Sequence, residues 1–130
     1  MEQEVHLEIE VLVCEKTPFY QDSDIGKWCW AMSYSPTKEE SIGFNALLTE
    51  GLRTFPKTLS KEVGWKMATW KHQEIATWFY VSEVLEFLDD THIPFSVRKW
   101  FLSWGSEHLA LLGDPSQLRL IIWVTEGMYD

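Results

Sequence analysis

One short stretch of the chain, Trp70, His72, Trp78 and Tyr80, combines flat rings with an imidazole. Such a set could sandwich a nucleobase, each stacked base contributing about 1–3 kcal/mol. The same rings, with a hydrogen-bonded histidine, would serve as ordinary core packing. Holding a phosphate needs cations, and the arginines are three: Arg53, Arg98 and Arg119. Arg119 stands one position away from the apolar face of a hydrophobic segment that also carries Trp123. A guanidinium buried there requires an anionic or carbonyl partner. It would either clamp a phosphate or carboxylate, helped by Arg53 at a helix end, or close a structural ion pair with Asp114 or Glu83.

Other chemistries are thinly represented. His6, Glu8 and Glu10 follow one another at every second position, so a strand would put them on one face, where imidazole and carboxylates could hold a metal. Exposed polar alternation on a strand accounts for the same pattern, and no second His or Cys completes a shell, so no metal is expected. His92 and His108 are isolated. No nucleophile elbow and no glycine-rich phosphate loop is present, and neither a catalytic residue nor a cofactor is assigned. Cys14 and Cys29 form no CxxC and read as buried reduced thiols.

Eight tryptophans in 130 residues is a high count, and indole is seldom buried completely because its N–H wants a partner. Some of these rings should line a groove, a pocket or a subunit interface. The formal net charge of −9 argues against duplex DNA or RNA as a partner, since polyphosphate binding needs clustered Lys and Arg. An acidic surface could instead dock on a basic host protein. No apolar run approaches the roughly 18–20 residues of a membrane span, and Met1-Glu2-Gln3-Glu4 lacks a basic signal-peptide start, so a cytoplasmic protein is expected.

The elements that must position these residues follow from periodicity. Val5, Leu7, Ile9, Val11 and Val13 alternate with largely polar residues, predicting a half-buried strand over 4–15. Trp28–Tyr34 reads as a second strand, with Trp28, Trp30, Met32 and Tyr34 on one face. Thr37 can cap a helix carrying Ile42, Leu47, Leu48 and Leu52, and Ser60 a shorter turn reaching Trp70. Residues 71–76 look irregular, and Trp78 to Val81 could be extended. Ser82 and Ser96 are candidate caps for two further helices, the second burying Val97, Trp100, Phe101, Trp104, Leu109, Leu111 and Leu112. Leu118–Thr125 is apolar on both faces and predicts a central strand. The order β-β-α-α-β-α-α-β predicts a single α+β domain, a small, mainly antiparallel sheet packed against several helices.

Three motifs carry a resemblance. Phe44 and Ala46-Leu47-Leu48 are followed by Arg53; His72 to Trp78 leads into Ser82-Glu83-Val84-Leu85; and Leu112-Gly113-Asp114-Pro115 leads to the strand from Arg119 to Trp123. Over residues 42–126 the chain resembles a family of small, mostly uncharacterised proteins of bacteria and their phages. The resemblance implies a phage or mobile-element origin and brings no reaction. Together with the rings, the few arginines and the missing catalytic set, it suggests a counter-defence protein that sequesters a small nucleotide-derived ligand without turnover. A homo-oligomer sharing pockets between subunits would suit that role. The alternatives are an acidic inhibitor of a host defence or nucleic-acid-binding protein, and a nucleotide-processing enzyme.

Overall fold

The alternation that begins at Val5 produces β1 (Gln3–Leu12), whose Val5, Leu7, Ile9 and Val11 are all buried on one face of a sheet. The computed structural model describes residues 3–50, 59–69, 73–86 and 94–126. β2 (Trp28–Tyr34), β3 (Gln73–Tyr80) and β4 (Leu118–Glu126) complete an antiparallel four-stranded sheet in the order β2-β1-β4-β3. β4 is therefore an inner strand, as a segment apolar on both faces must be. Helices α1 (Lys38–Glu50) and α2 (Lys61–Thr69) follow β2, and α3 (Val81–Glu86) and α4 (Phe95–Trp100) follow β3. The chain is an α+β domain of the expected element order.

The helices divide between the two sheet faces. Phe44 of α1, Val81 and Val84 of α3, and Val97 and Trp100 of α4 close over Leu7, Ile9, Leu120 and Ile122. On the other face Val63 of α2 packs with Ile121 and Trp123. α4 runs on through a π-helical turn (Phe101–Gly105) and a tighter turn ending at Leu111. Trp100, Trp104 and His108 recur at every fourth position and form a stack, with ring centroids 5.1 and 4.4 Å apart. His108 is thus no isolated histidine: its Nδ1 also lies 2.8 Å from the Trp104 carbonyl.

Two caps fall where the sequence places them. Glu40 N–H donates to Thr37 Oγ1 at 3.2 Å while Thr37 N–H donates back to Glu40 Oε1 at 2.9 Å, a reciprocal capping box. Val63 N–H donates to Ser60 Oγ at 3.3 Å at the start of α2. Two others shift. α3 starts at Val81, with Tyr80 N–H donating to Glu83 Oε1 at 3.1 Å, so Ser82 lies inside the helix. α4 starts after Pro94, and Ser96 sits in its first turn. Residues 73–76, expected to be irregular, form the first half of β3, because pairing with β4 supplies backbone partners that local composition does not signal. Leu111, expected on the buried side of its helix, is exposed, as is Ile42, and Phe44 fills the core position on α1.

The largest departure is in β2. Glu10 pairs with Trp30 but Ile9 pairs with Met32, so Ala31 is an extra residue in the strand. A one-residue bulge reverses which face the following side chains take. Trp28 and Trp30 consequently lie on the α2 side, while Met32 and Tyr34 pack into the opposite core.

Two predictions follow from this packing. A side chain at Gly43 would run into Ser96 Oγ and come within 3.0 Å of Val97 Cγ2 where α1 meets α4. Gly43→Leu should therefore destabilise by about 1–3 kcal/mol in urea denaturation, whereas an unchanged midpoint would contradict the close approach. Burial, reinforced by its hydrogen bond to Glu40 at 2.8 Å, pushes the Tyr34 phenol up to about 12. The unfolded chain ionises this group near 10. The contribution to stability is whole below that pH and is lost as pH climbs from about 10 to 12. Alkaline absorbance titration of wild type against Tyr34→Phe should show one phenol titrating in that upper range.

Candidate functional site

The α2 face of the sheet is built from a polar row laid across aromatic side chains. Glu10 on β1 stands directly opposite Arg119 on β4, and both are buried, at 0% and 2% exposure. Arg119 Nε donates to Glu10 Oε1 at 2.6 Å, and Ser60 N–H donates to Glu10 Oε2, also at 2.6 Å. The guanidinium carbon lies 4.1 Å from the centroid of the Trp28 ring, a cation–π contact reaching over β1. Two residues back on β1, Glu8 Oε2 accepts from Trp30 Nε1 at 3.0 Å and from the Ser33 hydroxyl. The indole N–H lies in the ring plane, so this bond fixes how the Trp30 ring is set. Further along, His6 stacks on Trp123 with centroids 4.3 Å apart.

The expected ion pair of Arg119 thus exists, with Glu10, an acid the sequence did not suggest, as a partner. Glu8 and Glu10 are buried, not exposed as strand alternation suggested. Among the described residues no three His, Cys, Asp or Glu side chains gather as a metal site. Trp78, Tyr80, Arg119 and Trp123 do share this face. Trp78 meets Tyr80 edge-on at 5.1 Å, and Tyr80 lies 6.1 Å from Trp28. Trp123 is 1% exposed and belongs to the small core around Val63. Arg53, Trp70, His72 and His92 lie outside the described residues.

An open concavity adjoins this row. Trp28 and Trp30 from β2, Tyr20, Asp24 and Lys27 from the preceding loop, and Ser60 at the head of α2 line a cleft of about 610 Å³. Its neighbour, about 550 Å³, is lined by Trp30, Lys61, Glu62 and Trp65. The loop is set by two local features. Gly26, at φ +83°, donates its N–H to Val13 O at 2.8 Å, a left-handed turn that glycine takes without strain. The Tyr20 hydroxyl donates to Trp30 O at 3.0 Å. Burial raises the Tyr20 phenol above its ordinary value, and the charges of Cys29, Glu62 and Asp24 push the same way. Burial also raises the Cys29 thiol, again with Asp24 and Glu62, while Lys27 opposes them. Among its described lining residues the cleft therefore combines indole rings, two carboxylates and two ammonium groups.

Trp28 and Trp30 were not among the residues singled out from the sequence, although their i, i+2 spacing beside Lys27 was a usable signal. Lys61, Glu62 and Trp65 reach the site because Ser60 bonds to a strand fifty positions away in sequence.

The chain matches no family model, no curated protein and no solved structure. These comparisons give no support to the resemblance read from the three motifs of residues 42–126. No helix among the described residues is long and apolar enough to cross a membrane.

Breaking the buried pair from one side leaves an uncompensated charge. Arg119→Ala and Glu10→Ala should each cost about 3–5 kcal/mol in equilibrium denaturation, and Glu10→Leu with Arg119→Met together should cost clearly less than either. Equal losses in all three variants would mean that the ion pair does not hold this face together.

Proposed function

We propose that this protein is a binding module that captures a small ligand bearing a flat ring in the cleft between β2 and α2, and holds it without turnover. The observation that carries the reading is the setting of Trp28 and Trp30. Both line the cleft, one beneath the Arg119 guanidinium and the other bonded through its N–H to Glu8. Rings held in place before a ligand arrives lose little freedom when it stacks, which favours affinity. A nucleotide-derived ligand is the first class to test, because any base presents a stacking face and Lys27 and Lys61 put ammonium groups at the rim. Sequestration of a nucleotide signal by a phage-type protein, with subunits pairing in a homo-oligomer, is the biological setting that this chemistry would suit.

Isothermal titration with adenosine, AMP and cyclic dinucleotides tests the reading. At least one should bind, and Trp30→Ala should weaken it by about tenfold or more, in line with the loss of one stacked ring. Ligand recovered chemically intact after denaturation supports capture, whereas a converted product would point to an enzyme. Absence of heat and of any shift in Tm across the series would overturn the proposal.

A further inference from the structure

Phe19 is the one non-glycine residue with positive φ among the described residues, at +69°, and its side chain is fully exposed. A bulky L residue takes that left-handed conformation at a cost, and a phenyl ring left in water returns nothing for it. The conformation is imposed from both sides. Before it, Thr17 N–H donates to Cys14 O at 3.0 Å and Cys14 N–H donates to Thr17 Oγ1 at 2.9 Å. After it, the Tyr20 hydroxyl donates to Trp30 O at 3.0 Å and Gln21 N–H donates to Asp24 Oδ2 at 3.2 Å. The loop therefore holds Phe19 out as a knob, next in the chain to Tyr20, which lines the cleft. The chain also carries a concave counterpart. The hollow bordered by Trp65 measures about 550 Å³, and Trp65 itself is 69% exposed. An apolar cavity of roughly 150 Å³ already admits a benzene ring, so a benzyl side chain has room to enter. The charges match as well. Exposed Lys16 and Asp22 flank Phe19 three positions to either side, and exposed Lys61 and Glu62 flank the hollow.

We propose that two copies of this chain associate about a two-fold axis, with Phe19 of each seated in the Trp65-bordered hollow of the other. That arrangement occupies both knobs and both hollows at once, so it closes at the dimer. It sets Lys16 toward Glu62 and Asp22 toward Lys61 across the contact. At physiological ionic strength the −9 on each copy is screened beyond about 8 Å, so mixed-sign rims can meet. The proposal goes beyond ligand capture and stands whether or not the adjoining cleft takes a ligand.

Sedimentation velocity of the ligand-free protein, from about 1 μM to about 1 mM at physiological ionic strength, tests it. Wild type should form a concentration-dependent dimer. Phe19→Gly and Trp65→Ala should each weaken that dimer by about tenfold or more. Glycine takes a positive φ without strain and Trp65 is exposed, so neither variant should lower the Tm measured at the dilute, monomeric end. An equimolar mixture of the two variants keeps one intact knob facing one intact hollow, and should associate more tightly than either variant alone. A wild type that stays monomeric throughout, a dimer that either substitution leaves unchanged, or a mixture that associates no better than its parts would overturn the proposal. So would a fall in Tm for Phe19→Gly, because the ring would then be packing within its own chain.

Discussion

A single carboxylate organises one side of this molecule. Glu10 gives one oxygen to Arg119 and the other to the backbone N–H of Ser60, so it joins β1, β4 and the head of α2. Removing a carboxylate and a guanidinium from water costs several kcal/mol per ion, about as much as their attraction returns. The net gain in stability is therefore small, but the penalty for any arrangement that leaves one of them unpaired is large. That asymmetry selects a geometry. With Arg119 fixed against Glu10, Trp28 covers the guanidinium, and Ser60 is tied to the sheet where it caps α2.

The cleft is a consequence of that placement. α2 packs onto this face through Val63, and the cleft lies between it and β2. Tyr20 then pins the loop to the Trp30 carbonyl, and Glu8 holds the Trp30 ring from the strand beneath. The same constraint decides the chemistry available. Arg119, which might have met a phosphate, is engaged in building the floor, and Lys27 and Lys61 are among the residues that line the cleft. Lysine ammonium groups on flexible stems give weaker geometric selection than a guanidinium fork.

Much of the fold was legible in the sequence, because strands and caps are set by neighbours a few positions apart. Alternation located β1, β2 and β4, and the aliphatic character of β4 on both faces placed it inside the sheet. Thr37 with Glu40 is a local signature, and Ser60 is another. What was not legible depends on partners far along the chain. The extra residue at Ala31 is visible only against the register of β1, and it alone decides that Trp28 and Trp30 part company with Met32 and Tyr34. Glu8 and Glu10 look like solvent-facing residues of an amphipathic strand until Arg119, Trp30 and Ser60 are brought over them. The need of Arg119 for an acid was evident from its neighbours, but the identity of that acid is a matter of cross-strand pairing over 109 positions.

The tryptophans show how the open part of this face differs from its packed part. Trp100 and Trp123 are buried, and Trp104 is stacked between Trp100 and His108. Trp78 is turned edge-on to Tyr80, and Trp28 has Arg119 over its ring. These rings already have partners for their faces, and burying them contributes to stability through area and through edge and stacking geometry. Trp30 is held by its N–H to Glu8 and packs beside the core of Val63, Ile121 and Trp123, whereas Trp65 is largely in solvent. Abundance of tryptophan alone therefore points to no site in this chain, because most of the described indoles are engaged in packing.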